Sequence, residues 1–234
     1  MTLLLTGLKA TDDVASDGKR SVVVLQLGFA TVKSLVCQRP PFTVATKTCF
    51  VFIGSTAMAA PEVCVPRQFT SRRRIAAGDF VFCELSAAWW DYSGQVLRGL
   101  TVEAEPTPLY RDLHVTAVAA YDSITKAIRP GAAAADLIEA SAAIEKNGFT
   151  TYDDLVHGYG GGYFAPILGS RSRPAGHPPT LTLAENMCMV VQPNVITRDE
   201  KAGVQFGEVV RVTSTGFESL HRTPHALFRA GQAI

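Results

Sequence analysis

The 234-residue sequence predicts an α+β domain in which helices flank a mostly antiparallel sheet. Three observations predict this fold class. Two β-rich runs joined by "DYSG" form a hairpin pattern, two amphipathic helical patterns follow it, and β-rich segments occupy the C-terminal part. Strand and helix patterns are grouped rather than alternating, which argues against a doubly wound parallel sheet.

The segment before the hairpin has a less regular pattern. Val22–Val36, "VVVLQLGFATVKSLV", is apolar all round with a bias to one face, which is typical of a mostly buried helix. Between residues 37 and 74, β-branched runs are broken by glycine and proline, so we expect one or two short strands with loops. The hairpin then consists of "FVFCELSAAWW", the turn "DYSG" and "QVLRGLTVE".

Two helices and a second β region follow the hairpin. In "LYRDLHVTAVAAYDSITKAI" apolar residues recur at helical spacing until "RPG" ends the helix. "AAAADLIEASAAIEKNG" predicts a second amphipathic helix, closed by Asn147 and Gly148. Near the C-terminus, "NMCMVVQP" predicts a buried strand, and "GVQFGEVVRVTSTGFESLH" predicts two strands joined by a Ser-Thr-Gly turn.

Composition narrows the class of function. The formal net charge is +1 and the basic run "SRRR" is short, so we expect no nucleic-acid partner. No segment reaches the roughly 20 unbroken apolar residues of a membrane helix, and the N-terminus lacks the pattern of a signal peptide. The five cysteines contain no Cys-x-x-Cys pair, which indicates reduced thiols of a cytoplasmic protein, with zinc ligation as a minor alternative.

The glycine-rich stretch "DDLVHGYGGGYFAP", residues 153–166, is a candidate functional loop. A Walker-type phosphate loop requires a lysine directly after its last glycine, and none follows here. The dinucleotide fingerprint also fails, because its third glycine would fall on Tyr163. The stretch therefore does not predict a phosphate site, and a plain turn stays open as an alternative.

Five motifs, in this order, resemble those of the creatinase / aminopeptidase P / methionine aminopeptidase superfamily. They are "AAGDFVFCELSAAWWDYSGQVLRG", "IRPG", "VHGYGGG", "LAENMCMVVQPN" and "GVQFGEVVRVTSTGFESL". The resemblance runs from about Ala76 to His221 and extends less securely over Val22–Val36. It implies the pita-bread fold of that superfamily's catalytic domain, an antiparallel sheet with flanking helices.

The resemblance also implies where the metal ligands of related peptidases would fall. Those enzymes hold two divalent metals with two aspartates, one histidine and two glutamates. The corresponding positions here are occupied by Glu84, Gln95, Gly161, Gln192 and Gly207. Because glycine offers no donor atom and a neutral amide is a weak substitute for a carboxylate, we expect no metal and no other cofactor.

The replacements instead favour a metal-free acid–base site. Creatinase, the metal-free enzyme of the superfamily, hydrolyses a C–N bond with side chains alone. By resemblance, Glu84 would act as the base, and His157 would take part in proton transfer, since a neutral histidine beside a carboxylate is suited to it. The residues expected to bind the substrate are Gln95, Arg98, Tyr92, Gln192 and Gln205.

Several alternatives stay open at these positions. Arg98 could bind a substrate carboxylate or pair with Glu84 or Glu208, and Tyr92 could stack on a substrate or pack within the hairpin. The glutamines suit a neutral or anionic polar group, because each amide both donates and accepts hydrogen bonds.

The expected function is that of a metal-independent, creatinase-like hydrolase or lyase acting on a small polar, carboxylate-bearing molecule. One alternative is an Xaa-Pro aminopeptidase-type metallopeptidase with altered ligands, and the other is a catalytically inactive pita-bread domain that binds peptide or protein. A homodimer is expected by resemblance, although the superfamily's N-terminal domain and its upstream proton-shuttling histidine have no counterpart. The expected division is a poorly matched part at 1–75, a pita-bread core at 76–225 and a tail at 226–234.

Overall fold

The computed structural model describes residues 46–66, 73–89, 92–175 and 180–231. The helix predicted at Val22–Val36 lies outside these residues. The strands are β1 (Thr46–Ala57), β2 (Asp79–Trp89), β3 (Tyr92–Val102), β4 (Thr150–Thr151), β5 (Val156–Tyr159), β6 (Tyr163–Leu168), β7 (Cys188–Val191), β8 (Val195–Ile196), β9 (Gly207–Val212), β10 (Phe217–Ser219) and β11 (Phe228–Ala230). The helices are α1 (Pro108–Ala127), α2 (Ala134–Ala140) and α3 (Ala143–Lys146).

Nine of these strands form one sheet, in which the order β1-β2-β3-β9-β7-β5-β6 is antiparallel throughout. Strand β10 extends β9, and β11 lies parallel to β3. Strands β4 and β8 form a separate two-stranded sheet. The predicted α+β class with a mostly antiparallel sheet is confirmed, while the proposed division at residues 75 and 225 stays a prediction.

The β1-β2-β3 part of the sheet differs in detail from the prediction. Strand β1 is a single strand of 12 residues that pairs along β2, rather than one or two short ones. Tyr92, Ser93 and Gly94 were predicted as turn residues but belong to β3, where Ser93 and Gly94 pair with Ala88 and Ala87. The backbone pairing of two long strands therefore extends into residues whose local preference is for a turn.

The helices form where their sequence predicts them, with one interruption. Helix α1 begins after Thr107, whose hydroxyl accepts a hydrogen bond from the Tyr110 amide at 3.5 Å, and its buried face packs into the core. The second predicted helix is divided into α2 and α3 because the Ser141 hydroxyl and amide both donate to the Ile138 carbonyl, tightening the chain there. None of the helices in the described ranges is long and apolar enough to cross a membrane.

The main core lies between these helices and the sheet. Phe80 stacks on Tyr110 of α1 with ring centroids 4.6 Å apart, and it meets Phe82 edge-on at 5.2 Å. Gly99 on the adjacent strand leaves room for Phe80, since a Cβ at that position would lie 2.2 Å from the Phe80 ring. This packing fixes the β2–β3 hairpin, which carries Glu84 and Gln95, against the helical layer.

A buried ion pair between Arg98 of β3 and Glu208 of β9 ties the sheet to α1 and to the C-terminal segment. Arg98 also donates to the Gly207 carbonyl at 2.8 Å and to carbonyls of residues 97, 223 and 224. Glu208 accepts from the hydroxyl of Tyr121 at 3.1 Å and from that of Ser219, and lies 3.3 Å from His225 Nε2. Burial alone would raise the pKa of Glu208, but His225, Arg98 and Ser219 outweigh it and lower that pKa to about 2.

We expect Glu208→Gln to lower the free energy of unfolding by about 3–5 kcal/mol, because the change leaves the buried Arg98 guanidinium without its counter-charge. The folded-state pKa of Glu208 lies below its ordinary value of 4.5, so the ion pair stabilises fully above that pH and loses its effect as the pH falls towards 2. Urea unfolding at neutral and acidic pH measures both effects.

The matched control is Glu218→Gln, which removes an exposed ion pair with Arg211. Because such pairs are screened by solvent, we expect no measurable change in its unfolding midpoint. Equal effects of the two substitutions would show that Glu208 does not hold the fold together in this way.

Candidate active site

A cavity of about 550 Å³ brings together five of the seven residues predicted to form the site. These are Glu84, Gln95, His157, Gln192 and Gln205. The other lining residues are Phe52, Val65, Pro66, Tyr152, Asp153, Asp154, Tyr159 and Tyr163. Side chains from positions 52 to 205 therefore converge at the point where the β2–β3 hairpin meets β5 and the segment before β9.

Glu84 lies in the middle of β2 and is partly buried. Its Oε1 accepts a hydrogen bond from Gln95 Nε2 at 3.1 Å, and its Oε2 accepts one from Gln205 Nε2, also at 3.1 Å. Burial and the nearby charges of Asp153 and Asp154 raise the pKa of Glu84 to about 7. The hydrogen bond from Gln205 lowers this pKa but only partly offsets the rise. The carboxylate is therefore fixed in position and titrates near neutral pH.

The glutamines extend this arrangement into one hydrogen-bonded chain. Gln95 Nε2 also donates to Gln192 Oε1 at 3.1 Å. Gln192 Nε2 in turn lies 3.3 Å from the carbonyl of Asp154 and 3.5 Å from its Oδ2. Because each amide presents its donor to the acceptor of the next group, the chain orients Glu84 without placing a positive charge beside it.

His157 lies on β5 and is almost fully buried, with 1 % of its surface exposed. Its ring stacks on Tyr163 at 3.9 Å, and its Nδ1 lies 3.2 Å from the Gly158 carbonyl. Burial lowers the pKa of His157, partly offset by Asp154, the Gly158 carbonyl and Gln192. The imidazole is therefore neutral at pH 7 and can accept a proton.

The sequence reasoning missed Asp153, Asp154 and Tyr163. Asp153 as a whole residue is exposed, but partial burial of its carboxyl group and the nearby charge of Asp154 raise its pKa to about 6. Burial and a hydrogen bond with Asp154 raise the pKa of Tyr163. The signal available in the sequence was the acidic pair placed directly before the buried strand that carries His157.

Arg98 and Tyr92 do not line this cavity. Arg98 pairs across the hairpin with Cys83, one position out of step with Glu84, and successive strand residues project to opposite faces. Of the two roles left open for Arg98, the structure places it in the ion pair with Glu208. Tyr92 is 75 % exposed and borders a different cavity of about 620 Å³, so its ring cannot stack on a ligand beside Glu84.

The glycine stretch forms the tight connection between β5 and β6. The Gly160 carbonyl accepts a hydrogen bond from the Ser93 amide at 2.9 Å, which ties this connection to the β2–β3 hairpin. At Gly161, to which the resemblance assigns the histidine ligand of related enzymes, an added Cβ would meet no atom within 4 Å. The stretch therefore leaves open space rather than a set of donors.

The residues at the positions that the resemblance assigns to metal ligands do not fit a pair of divalent metals. Glu84 is the only carboxylate among the five positions, and two closely spaced cations require several anionic ligands. At Gly207, a Cβ would lie 2.3 Å from the Val191 carbonyl and 2.7 Å from the Gln192 Cα, so the backbone leaves no room for a glutamate. Across the described ranges, no group of three or more His, Cys, Asp or Glu side chains is arranged to hold a metal ion.

The antiparallel sheet with its flanking helices is that of a pita-bread domain. Residues 33–214 match the metallopeptidase family M24, and the chain therefore belongs to that family. This confirms the superfamily and the fold inferred from the five motifs. No curated protein matches the chain at a significant level.

Solved structures show the same fold at low sequence identity. An Xaa-Pro dipeptidase from Bacillus anthracis is 22% identical, with a TM-score of 0.71 over 89% of this chain and 54% of its own. An X-Pro aminopeptidase from Thermotoga maritima is 20% identical, with a TM-score of 0.70 over 89% and 55%. A methionine aminopeptidase from Rickettsia prowazekii is 23% identical, with a TM-score of 0.59 over 72% and 73%. The chain thus spans about half the length of the two Xaa-Pro peptidases.

We expect Gly161→His to fold with unchanged stability and to bind no manganese, because Gln95, Gln192 and Gly207 still supply no charge. Gly207→Ala should instead lower the free energy of unfolding by about 2 kcal/mol or more, since its Cβ would overlap backbone atoms. Isothermal titration with manganese and urea unfolding measure the two outcomes. Stoichiometric manganese binding by Gly161→His, or normal stability of Gly207→Ala, would contradict this account of the site.

Proposed function

We propose that this chain is a metal-independent hydrolase or lyase that acts on a C–N or neighbouring bond of a small polar molecule, with Glu84 as the general base. The observation that supports this most is the Glu84 carboxylate itself. It is held by two amides, faces a cavity of about 550 Å³ and has a pKa raised to about 7. A base is most effective when its pKa lies near the working pH.

In the hydrolytic form of the reaction, ionised Glu84 takes a proton from water while the water oxygen bonds to the carbon of the scissile C–N group. The C–N bond then breaks, and the proton passes from Glu84 to the departing nitrogen. Gln95 and Gln205 keep both carboxylate oxygens in place, so that the base does not have to reorient during this transfer. In a lyase, the same carboxylate would remove a proton from carbon.

His157 is the second group proposed to handle a proton. Its pKa is lowered by burial, so that the ring is neutral and can accept a proton at neutral pH. Nδ1 lies 3.2 Å from the Gly158 carbonyl, which can accept a hydrogen bond from an Nδ1–H group. In that tautomer Nε2 is the unprotonated, basic nitrogen. Stacking on Tyr163 limits the rotation of the ring.

We do not propose that the substrate carries a carboxylate. Arg98 was its predicted partner, and the guanidinium is occupied by Glu208 and four backbone carbonyls away from the cavity. Gln95, Gln192 and Gln205 stay as the proposed polar contacts of the substrate.

A catalytically inactive binding domain is the second candidate. Both Glu84 oxygens and the Gln192 amide already have partners, and such a satisfied polar chain also suits a site that only binds. Turnover of a substrate, if it is lost when Glu84 is substituted, would support the enzyme over the inactive binding domain.

The first substrates to test are Xaa-Pro dipeptides, because two of the structural relatives are named for that specificity. Amides, ureas and guanidines of similar size form the second panel. We expect turnover that is unchanged by a chelator, together with a substoichiometric metal content of the purified protein. Stoichiometric metal, with activity that requires it, would establish an altered metallopeptidase instead.

For any substrate that is turned over, we expect Glu84→Gln to lower kcat by about 10²–10⁴-fold, as loss of a general base does. The kcat/KM of the unsubstituted protein should rise with pH through about 7, because only ionised Glu84 is a base and its pKa is raised to that value. Glu218→Gln serves as the control and should leave the profile unchanged. A rate that is flat from acid to neutral pH would exclude Glu84 as the base.

A further inference from the structure

A second cavity, of about 620 Å³, lies where the β5–β6 connection meets the β2–β3 hairpin. The hydrogen bond from the Ser93 amide to the Gly160 carbonyl, 2.9 Å long, joins the two segments there. Its walls come from the start of β3, the β5–β6 hairpin, β7 with the two residues before it, β9 and the segment after β10. Glu84 does not line this cavity, and its volume suits a small organic molecule.

The walls of this second cavity are uncharged. Among the described residues, no lysine, arginine, aspartate or glutamate lines it. The charged groups that act on its Cys188 thiol are those of Arg211 and Glu218, and these two side chains form an ion pair with each other. A charged ligand would therefore lose its hydration without gaining a counter-charge.

Two buried polar side chains line this cavity without a hydrogen-bond partner among the described residues. Tyr159 is only 6 % exposed, and its hydroxyl is unpartnered. Both ring nitrogens of His221 are also buried and unpartnered. Burial lowers the pKa of His221, so the ring is neutral at pH 7 and offers one N–H donor and one acceptor nitrogen. Unpaired buried polar groups are unfavourable, and a ligand with a hydroxyl or amide group removes that penalty.

The remaining surface of the cavity suits an aromatic ring. Tyr92 and Phe164 border it and are 75 % and 53 % exposed, so a ring that packs against them buries surface that is otherwise in water. Met187 and Leu220 add apolar contacts. At Gly161 an added Cβ would meet no atom within 4 Å, which leaves space beside the backbone for a flat group.

We propose that this second cavity binds a neutral aromatic molecule that carries a hydroxyl or amide group. The ring of the ligand packs against the aromatic and apolar walls, and its polar group supplies the partner that the Tyr159 hydroxyl and the His221 ring lack. The proposal goes beyond the function proposed for Glu84, because it concerns a different cavity and holds whether or not the chain turns over a substrate.

The binding experiment uses four probes that share one ring system and differ in one group: naphthalen-2-ylmethanol, 2-methylnaphthalene, 2-naphthoate and naphthalen-2-ylmethylammonium. Fluorescence titration at pH 7 measures each affinity. We expect the alcohol to bind about fivefold or more tightly than the hydrocarbon, because it pairs with buried polar groups, and neither ion to bind. No binding of the alcohol, or equal binding of the hydrocarbon or of either ion, would overturn the proposal.

The Cys188 thiol shows where the alcohol binds. It is half-buried, and it lines the second cavity but not the one around Glu84. Because burial raises the pKa of this thiol, alkylation by N-ethylmaleimide is followed at about pH 8.5, by mass spectrometry of the peptide that contains Cys188. We expect naphthalen-2-ylmethanol to slow this alkylation. An unchanged alkylation rate with the alcohol bound would contradict the proposed location.

Three substitutions complete the test, each checked for folding by its urea unfolding midpoint. Gly161→Leu places a side chain in the open space and should abolish binding of the alcohol. Tyr159→Phe removes the unpartnered hydroxyl and should weaken binding by about fivefold. Glu84→Gln, which alters the proposed base in the other cavity, should leave binding unchanged. Loss of binding in Glu84→Gln, or full binding in Gly161→Leu, would overturn the proposal, whereas neither result bears on turnover at Glu84.

Discussion

The rest of the structure depends on the buried ion pair between Arg98 and Glu208. It joins β3 to β9, and through Tyr121 and Ser219 it also holds α1 and β10 at the same point. These contacts set the position of the β2–β3 hairpin relative to the β7 and β9 strands, and the candidate site lies across that junction. At this junction Glu84 from the hairpin meets Gln205 from the segment before β9, and their side chains are hydrogen-bonded at 3.1 Å.

The pKa values of two buried carboxyl groups in this protein are shifted in opposite directions. Glu208 has a guanidinium, a histidine and hydroxyl donors, and its pKa is lowered to about 2. Glu84 has only neutral amide donors and two acidic neighbours, and its pKa is raised to about 7. Burial opposes the ionised form in both places, so the charge of the partners decides the direction. The same hairpin therefore carries one arrangement that favours stability and, at Glu84, one that supports the proposed proton transfer.

Much of the fold, but less of the site, could be predicted from the sequence. Periodicity located α1 and the C-terminal strands, and the motif order indicated which distant segments meet at Glu84, Gln95 and Gln192. Local patterns could not give the length of β1, which is set by pairing with β2, nor the face on which Arg98 projects, which depends on register. Asp153 and Asp154 were missed because their proximity to Glu84 arises from tertiary packing rather than from spacing along the chain.

The chemistry proposed for the site depends on how the residues around Glu84 fit together. At Gly207 the backbone of Gln192 occupies the space that a glutamate side chain would need, while at Gly161 the space stays open. The amides of Gln95 and Gln192 are hydrogen-bonded to each other, and those of Gln95 and Gln205 are hydrogen-bonded to Glu84. Neutral amide dipoles therefore surround the Glu84 carboxylate, whereas a metal site would need further negatively charged ligands there. Gly207→Glu would displace the backbone of Gln192 and with it the amide chain, whereas Gly161→His has room and leaves the chain in place. The packing around Gln192 and the amide chain therefore favours a neutral polar surrounding for Glu84, the carboxylate that we propose acts on protons.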